Sequence, residues 1–122
     1  MKKPKSRRQI EKKLDAEFSR VIRLRDKCAR CNKGADVITL QCAHIISRVN
    51  RAVRWDLENG VPLCYACHIF WAHRNPVDFV DFIKDYLGEL RFEALKARAR
   101  AIKKWTIEEM EDYLKYLREI RH

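Results

Sequence analysis

The chain has 122 residues and carries 27 Lys plus Arg against 17 Asp plus Glu, a net charge of +10. That length suits one domain with a modest core, for which a metal staple is a useful support. The 47% apolar and 10% aromatic content excludes the composition of a disordered chain. No apolar run is long enough to span a bilayer, and the basic start Met1 to Arg8 lacks the apolar stretch of a signal peptide. A cytoplasmic protein without a membrane partner is expected.

Residues 5–27 read as an amphipathic helix. Ile10, Leu14, Phe18, Val21 and Ile22 recur at three- and four-residue spacing, and this stripe should dock on the domain. Arg7, Arg8, Lys12, Arg20 and Arg23 then face solvent or phosphate. Residues 1–33 hold 13 basic and 4 acidic side chains, whereas residues 75–122 hold ten of each. A positive field concentrated in one stretch suits a polyphosphate partner, although a solvated helix face has the same composition.

Residues 28–34 form a turn, and Val37 to Ile46 a strand that ends near His44. Residues 47–60 read as an irregular loop, Val61-Pro62-Leu63 as a short strand, and Cys64 to about Arg74 as a helix. Asn75-Pro76 starts the next helix, with Asn as cap, Pro at the first position and Asp78 in the first turn. Val77, Phe79, Val80, Ile83 and Leu87 are its expected buried side. Gly88 interrupts, and residues 89–104 continue as a helix with Leu90, Phe92, Leu95 and Ile102 as candidate core. Thr106-Ile107-Glu108-Glu109 is a capping box that opens a last helix, with Met110, Tyr113, Leu114 and Leu117 inward. The fold class is therefore α+β and mostly helical. It is one domain in three stretches: a basic helix (1–27), a cysteine-bearing core (28–74) and C-terminal helices (75–122) that serve as scaffold or dimer contact.

Four of the five cysteines form two C-x-x-C pairs, Cys28/Cys31 and Cys64/Cys67. Each pair can present two thiolates from one turn, and two pairs complete a tetrahedron around structural Zn²⁺. The 32 residues between Cys31 and Cys64 must form a hairpin whose two ends the metal pins together. Lys27, Arg30 and Lys33 stand ready to offset the thiolate charge. Cys42 is the odd cysteine and reads as a small core residue.

Between the pairs lies Gln41-Cys42-Ala43-His44-Ile45-Ile46-Ser47-Arg48, and then Arg54-Trp55-Asp56-Leu57-Glu58-Asn59-Gly60-Val61-Pro62-Leu63-Cys64-Tyr65-Ala66-Cys67-His68. This pattern over residues 28–85 resembles the HNH (ββα-metal, His-Me finger) endonucleases, and among them phage recombination nucleases of the NinG (Rap) type. The resemblance implies a zinc-stapled ββα-metal core and hydrolysis of DNA phosphodiester bonds in double-stranded or branched DNA. A bacterial host cell and a phage or prophage origin would follow. His44 would be the general base, since a neutral imidazole can take a proton from water near pH 7. Asn59 would orient it by accepting the proton of its other ring nitrogen. His68 would bind a catalytic Mg²⁺ or Mn²⁺ that stabilises the phosphorane charge.

Many members carry Asp directly before the base, where this chain has Ala43. His73 and Asp56 are the nearest spare groups for that metal, although five residues of α-helix would not put His73 on the face of His68. Arg48, Arg51 and Arg54, on the loop beside the base, are candidates to bind flanking DNA phosphates. Cutting both strands would call for two active sites, which a homodimer supplies. The main alternative is a non-catalytic zinc-containing DNA-binding module. A second is a protein-interaction adaptor built on residues 75–122.

Overall fold

A computed structural model describes residues 6–121. Met1–Lys5 and His122 lie outside the described residues, and with them the expected helix start at Lys5. The chain is α+β and mostly helical, with a two-stranded antiparallel sheet. Among the described residues no helix is long and apolar enough to cross a membrane.

Helix α1 (Arg7–Arg23) opens on a capping box. Ser6 Oγ accepts from the Gln9 amide at 3.2 Å, and Gln9 Oε1 accepts from the Ser6 amide at 3.1 Å, which pairs two of the otherwise orphan donors. Its stripe of Ile10, Leu14, Phe18 and Ile22 is buried, and Val21 is partly so. This stripe packs against Met110, Leu114 and Leu117 of α4 (Ile107–Glu119). The reciprocal hydrogen bonds of Thr106 and Glu109 start α4, as the sequence predicts. Two residues of the expected basic face are consumed by this contact. Arg7 donates to the Trp105 carbonyl at 2.6 Å, and Arg20 donates to the Leu117 and Ile120 carbonyls at 2.9 and 3.0 Å, capping the end of α4.

Strand β1 (Leu40–His44) pairs with β2 (Gly60–Cys64) in the register Leu40↔Cys64 to His44↔Gly60. The first strand is shorter than expected: the amides of Val37 and Ile38 turn back to the Gly34 carbonyl, and Val37 is exposed. Every residue of β2 is buried, because α1 covers the hairpin and the cysteine turns flank its end. A Cβ at Gly60 would meet Ile22 and Phe18 atoms at 2.8–2.9 Å, so only glycine admits so close an approach of the sheet to α1.

After β2, residues Ala66–Ala72 wind as a π-helix, followed by α2 (Pro76–Leu87) and α3 (Glu89–Arg100). The C-terminal helices correct several expectations. Val77, Val80, Leu90 and Ile102 are exposed. Helix α2 is covered where Phe79 and Phe82 meet the Trp71 ring and where Leu87 packs on the core, so its buried stripe narrows to these and Ile83. Asn75 makes no side-chain cap; its amide donates to the Trp71 carbonyl at 2.9 Å. Helix α3 ends at Arg100 rather than residue 104, since the chain must extend from Ala101 to return α4 to α1.

Candidate metal centre and histidine site

The two C-x-x-C turns meet at the end of the hairpin. The Sγ atoms of Cys28, Cys31, Cys64 and Cys67 all lie within 4.8 Å of one another, and Cys31 and Cys64 are 3.8 Å apart. Tetrahedral Zn–S bonds of about 2.3 Å would place sulfurs about 3.8 Å apart, so the four cysteines could hold a metal such as zinc. Asn32 adopts a left-handed conformation (φ 65°) that closes the first turn, and the Ala29 amide donates to the Pro62 carbonyl at 2.9 Å. That bond ties the first turn to β2, which bears the second.

The electrostatics also call for a cation. Burial pushes the Cys28 thiol up, but the amides of Cys31, Cys64 and Arg30 outweigh it and bring it down to about 6. Cys67 is pushed up to about 12 by burial and the neighbouring sulfurs, against a hydrogen bond from Arg30. The Lys33 amide lowers Cys31, yet burial and the sulfurs of Cys28 and Cys64 raise it on balance. One thiolate forms readily and then repels the next; a dication removes that conflict. Of the expected counter-charges, the Arg30 guanidinium lies 3.7 Å from Cys67 Sγ and stacks on Trp71 at 4.1 Å. Lys33 contributes its backbone amide, not its ammonium. Cys42 is apart from the cluster, packed against the α1–α4 core.

His44 ends β1. Its Nε2 is 2.9 Å from the Arg54 carbonyl. A carbonyl only accepts, so Nε2 carries the proton and the neutral ring keeps its lone pair on Nδ1. The ring also packs on Phe18, with centroids 5.1 Å apart. Burial lowers the His44 imidazolium below its ordinary value; the Arg54 carbonyl partly restores it, and the Arg48 charge lowers it further.

Asn59 does not take the expected position on the His44 ring. It is fully buried and pins the loop instead. Its side chain accepts from the Ile46 amide at 2.7 Å and donates to the Ile46 and Val53 carbonyls at 3.0 and 2.9 Å. This clasp closes the loop on which Arg54 sits, so Asn59 acts on His44 through Arg54. The geometric reason is the register: Asn59 precedes Gly60, which pairs with His44, and the Asn59 carbonyl accepts from the Ile45 amide at 3.1 Å.

His68 donates from Nδ1 to Gln41 Oε1 at 2.8 Å, which leaves Nε2 free. Burial lowers its imidazolium, and the charges of His73 and His44 add to that lowering. His73 was expected on another face, since five residues of α-helix at 3.6 per turn separate two rings by about 140°. The segment is π-helical: the His73 amide donates to the His68 carbonyl at 3.2 Å, five residues back. That winding sets the two rings 4.6 Å apart. Ala43 is buried in the core, and Asp56 is held by Arg98 at 2.6 and 3.2 Å, so neither supplies the missing acid. Apart from the four cysteines, no group of three or more His, Cys, Asp or Glu among the described residues is placed to hold a metal ion.

The loop arginines meet α1. Arg54 forks onto Asp15 at 3.0 and 2.7 Å, and its side chain is 12% exposed, so it is an internal brace and not the expected phosphate contact. Arg48 also reaches Asp15 at 2.7 Å, and Arg51 pairs with Glu11, but these two are 58% and 51% exposed. Burial pushes the Asp15 carboxyl up; hydrogen bonds from Arg54 and Trp55 and the nearby arginine charges outweigh it and hold it below the ordinary value. Asp15 and Gln41 are contributors that sequence inspection missed. Only the placement of Glu11 and Asp15 beside the apolar stripe of a basic helix hinted at the first. Compared with family models, curated proteins and solved structures, the chain matches none.

Proposed function

We propose that the protein is a metal-dependent DNA endonuclease of the HNH type, with a ββα-metal core stapled by zinc. The observation that carries this reading is His44, a neutral imidazole fixed by the Arg54 carbonyl with its other nitrogen unprotonated. Such a group can take a proton from an attacking water near neutral pH. His68 and His73, side by side on the π-helix, would hold the catalytic Mg²⁺ or Mn²⁺. That ion would supply Lewis-acid stabilisation of charge on the phosphorus and the leaving oxygen. Gln41 fixes the His68 ring through Nδ1, which leaves Nε2 for the ion. Arg48 and Arg51 remain exposed enough to exchange Asp15 and Glu11 for DNA phosphates. Phage-type recombination or branched-DNA processing in a bacterial host remains part of this proposal, as does a homodimer.

Supercoiled and branched DNA incubated with Mg²⁺ or Mn²⁺ should be cut, and His44→Ala should lose cutting by about 10²-fold or more while retaining DNA binding. Equal cutting by the variant refutes the assignment. The second reading, a DNA-binding zinc module without catalysis, draws on the buried Ala43 and on the lack of a third ligand near His68 and His73. It predicts salt-sensitive binding with no cleavage at any divalent ion concentration.

A further inference from the structure

Two clefts share Trp55 and Trp105. One, of about 250 Å³, is lined by Arg7, Arg51, Lys103 and Lys104. The other, of about 350 Å³, is lined by Asp56, Tyr113 and Tyr116. Trp105 is the wall between them and is rigidly held. Its indole donates to the Arg51 carbonyl at 3.0 Å and its carbonyl accepts from Arg7 at 2.6 Å. Its ring meets Trp55 and Tyr113 at 5.5 Å each. Lys103 Nζ lies 4.9 Å over the indole, and Tyr116, 53% exposed, stacks beyond Tyr113 at 5.8 Å.

The charges of this strip are only partly satisfied. Lys103 pairs with Glu109, and Arg51 with Glu11. Lys104 is exposed and has no partner among the described residues. Asp56, the acid of the second cleft, is neutralised by Arg98. A scaffold role needs neither the exposed tyrosine nor lysines grouped beside an indole. Cations that track a backbone, next to aromatic rings on which bases lie, are the combination that holds single-stranded nucleic acid. Duplex bases offer no free face to such rings.

We infer that the Trp105 strip binds an unpaired DNA strand, its phosphates among Arg7, Arg51, Lys103 and Lys104 and its bases against Trp105 and Tyr116. Phe18, against the His44 ring, and Arg7 are eleven residues apart on α1, or about 16 Å at 1.5 Å per residue. That is about five base-pair steps at 3.4 Å each. A strand held at Trp105 would therefore present a nearby junction between paired and unpaired DNA to His44. This consequence rests on the nuclease reading; the binding site itself does not.

The test is titration of the full chain, without added Mg²⁺ or Mn²⁺, with labelled oligo(dT), oligo(rU) and a duplex of equal length. Oligo(dT) should bind and quench tryptophan fluorescence. Tyr116→Ala and Lys104→Glu, both at exposed positions, should each weaken it by about fivefold or more, and Tyr116→Ala should leave duplex affinity within about twofold. Trp105→Ala should lose binding and Trp105→Phe should recover most of it, with melting curves separating loss of the ring from loss of the fold. Oligo(dT) affinity unchanged in both Tyr116→Ala and Lys104→Glu overturns the site, and a strong preference for oligo(rU) overturns its assignment to DNA. His44-dependent cutting with oligo(dT) affinity unmoved by both substitutions would sink this inference alone. Absent cutting with a sensitive Tyr116 would sink the nuclease alone.

Discussion

Asn59→Ala tests whether the loop clasp, and not a direct contact, governs His44. The substitution removes three hydrogen bonds and strands the Ile46 amide and the Ile46 and Val53 carbonyls in a site where Asn59 itself is fully buried. At about 1–1.5 kcal/mol for each of the three bonds with a partner left unpaired, the cost is about 3–4.5 kcal/mol. That is a large share of the roughly 5–15 kcal/mol by which a domain is stable, and it should lower Tm by about 10–20 °C. Asn59→Asp is the sharper control. It keeps the shape and the acceptor for the Ile46 amide but turns a carboxylate oxygen towards two carbonyls, so it should cost no less than alanine. Urea unfolding followed by circular dichroism gives both values, with an unchanged m as the sign that only stability moved. Below its melting temperature the alanine variant should still cut poorly, because the Arg54 carbonyl that fixes the His44 proton is no longer held. A variant within about 1 kcal/mol of the parent, or Asn59→Asp behaving as wild type, would refute the clasp.

Two further outcomes follow from the same geometry. Burial holds the His44 imidazolium below the ordinary value, so its neutral form persists under mildly acid conditions. The acid limb of kcat/KM for DNA cutting should lie below about 6.5. The sign for stability is the same: the unfolded chain binds that proton more tightly, so His44 contributes stability above about 6.5 that is lost as pH falls towards its folded value. An acid limb at or above the ordinary imidazole value counts against His44 as the base. Metal analysis should find one zinc per chain. Chelation, or Cys67→Ser, should unfold the hairpin and abolish cutting, since a structural zinc site is worth about 10–16 kcal/mol. A chelated protein with an unchanged melting curve would show that the cysteines hold no structural ion.

Much of the fold is legible in local spacing. Periodic apolar residues mark the inward stripe of α1, and Thr106 and Glu109 mark the start of α4. Where legibility fails, a remote partner decides. Val77 and Val80 have helical spacing but stay exposed, because α2 meets the core along Phe79, Phe82, Ile83 and Leu87. The relation of His73 to His68 fails for a different reason. One extra residue in the winding changes which side chains share a face, and no residue type announces it.

What the sequence by itself determined is the cysteine framework. Two C-x-x-C pairs set thiolates at turn spacing, and that chemistry requires no knowledge of the remaining chain. Only the tertiary structure decided which polar groups near His44 are buried braces and which stay exposed. Arg54 and Arg48 are equally basic as letters and both reach Asp15, yet the Arg54 side chain is 12% exposed and that of Arg48 58%. Burial and partnership depend on elements that converge only when the chain folds, so spacing along the chain could not tell these two arginines apart.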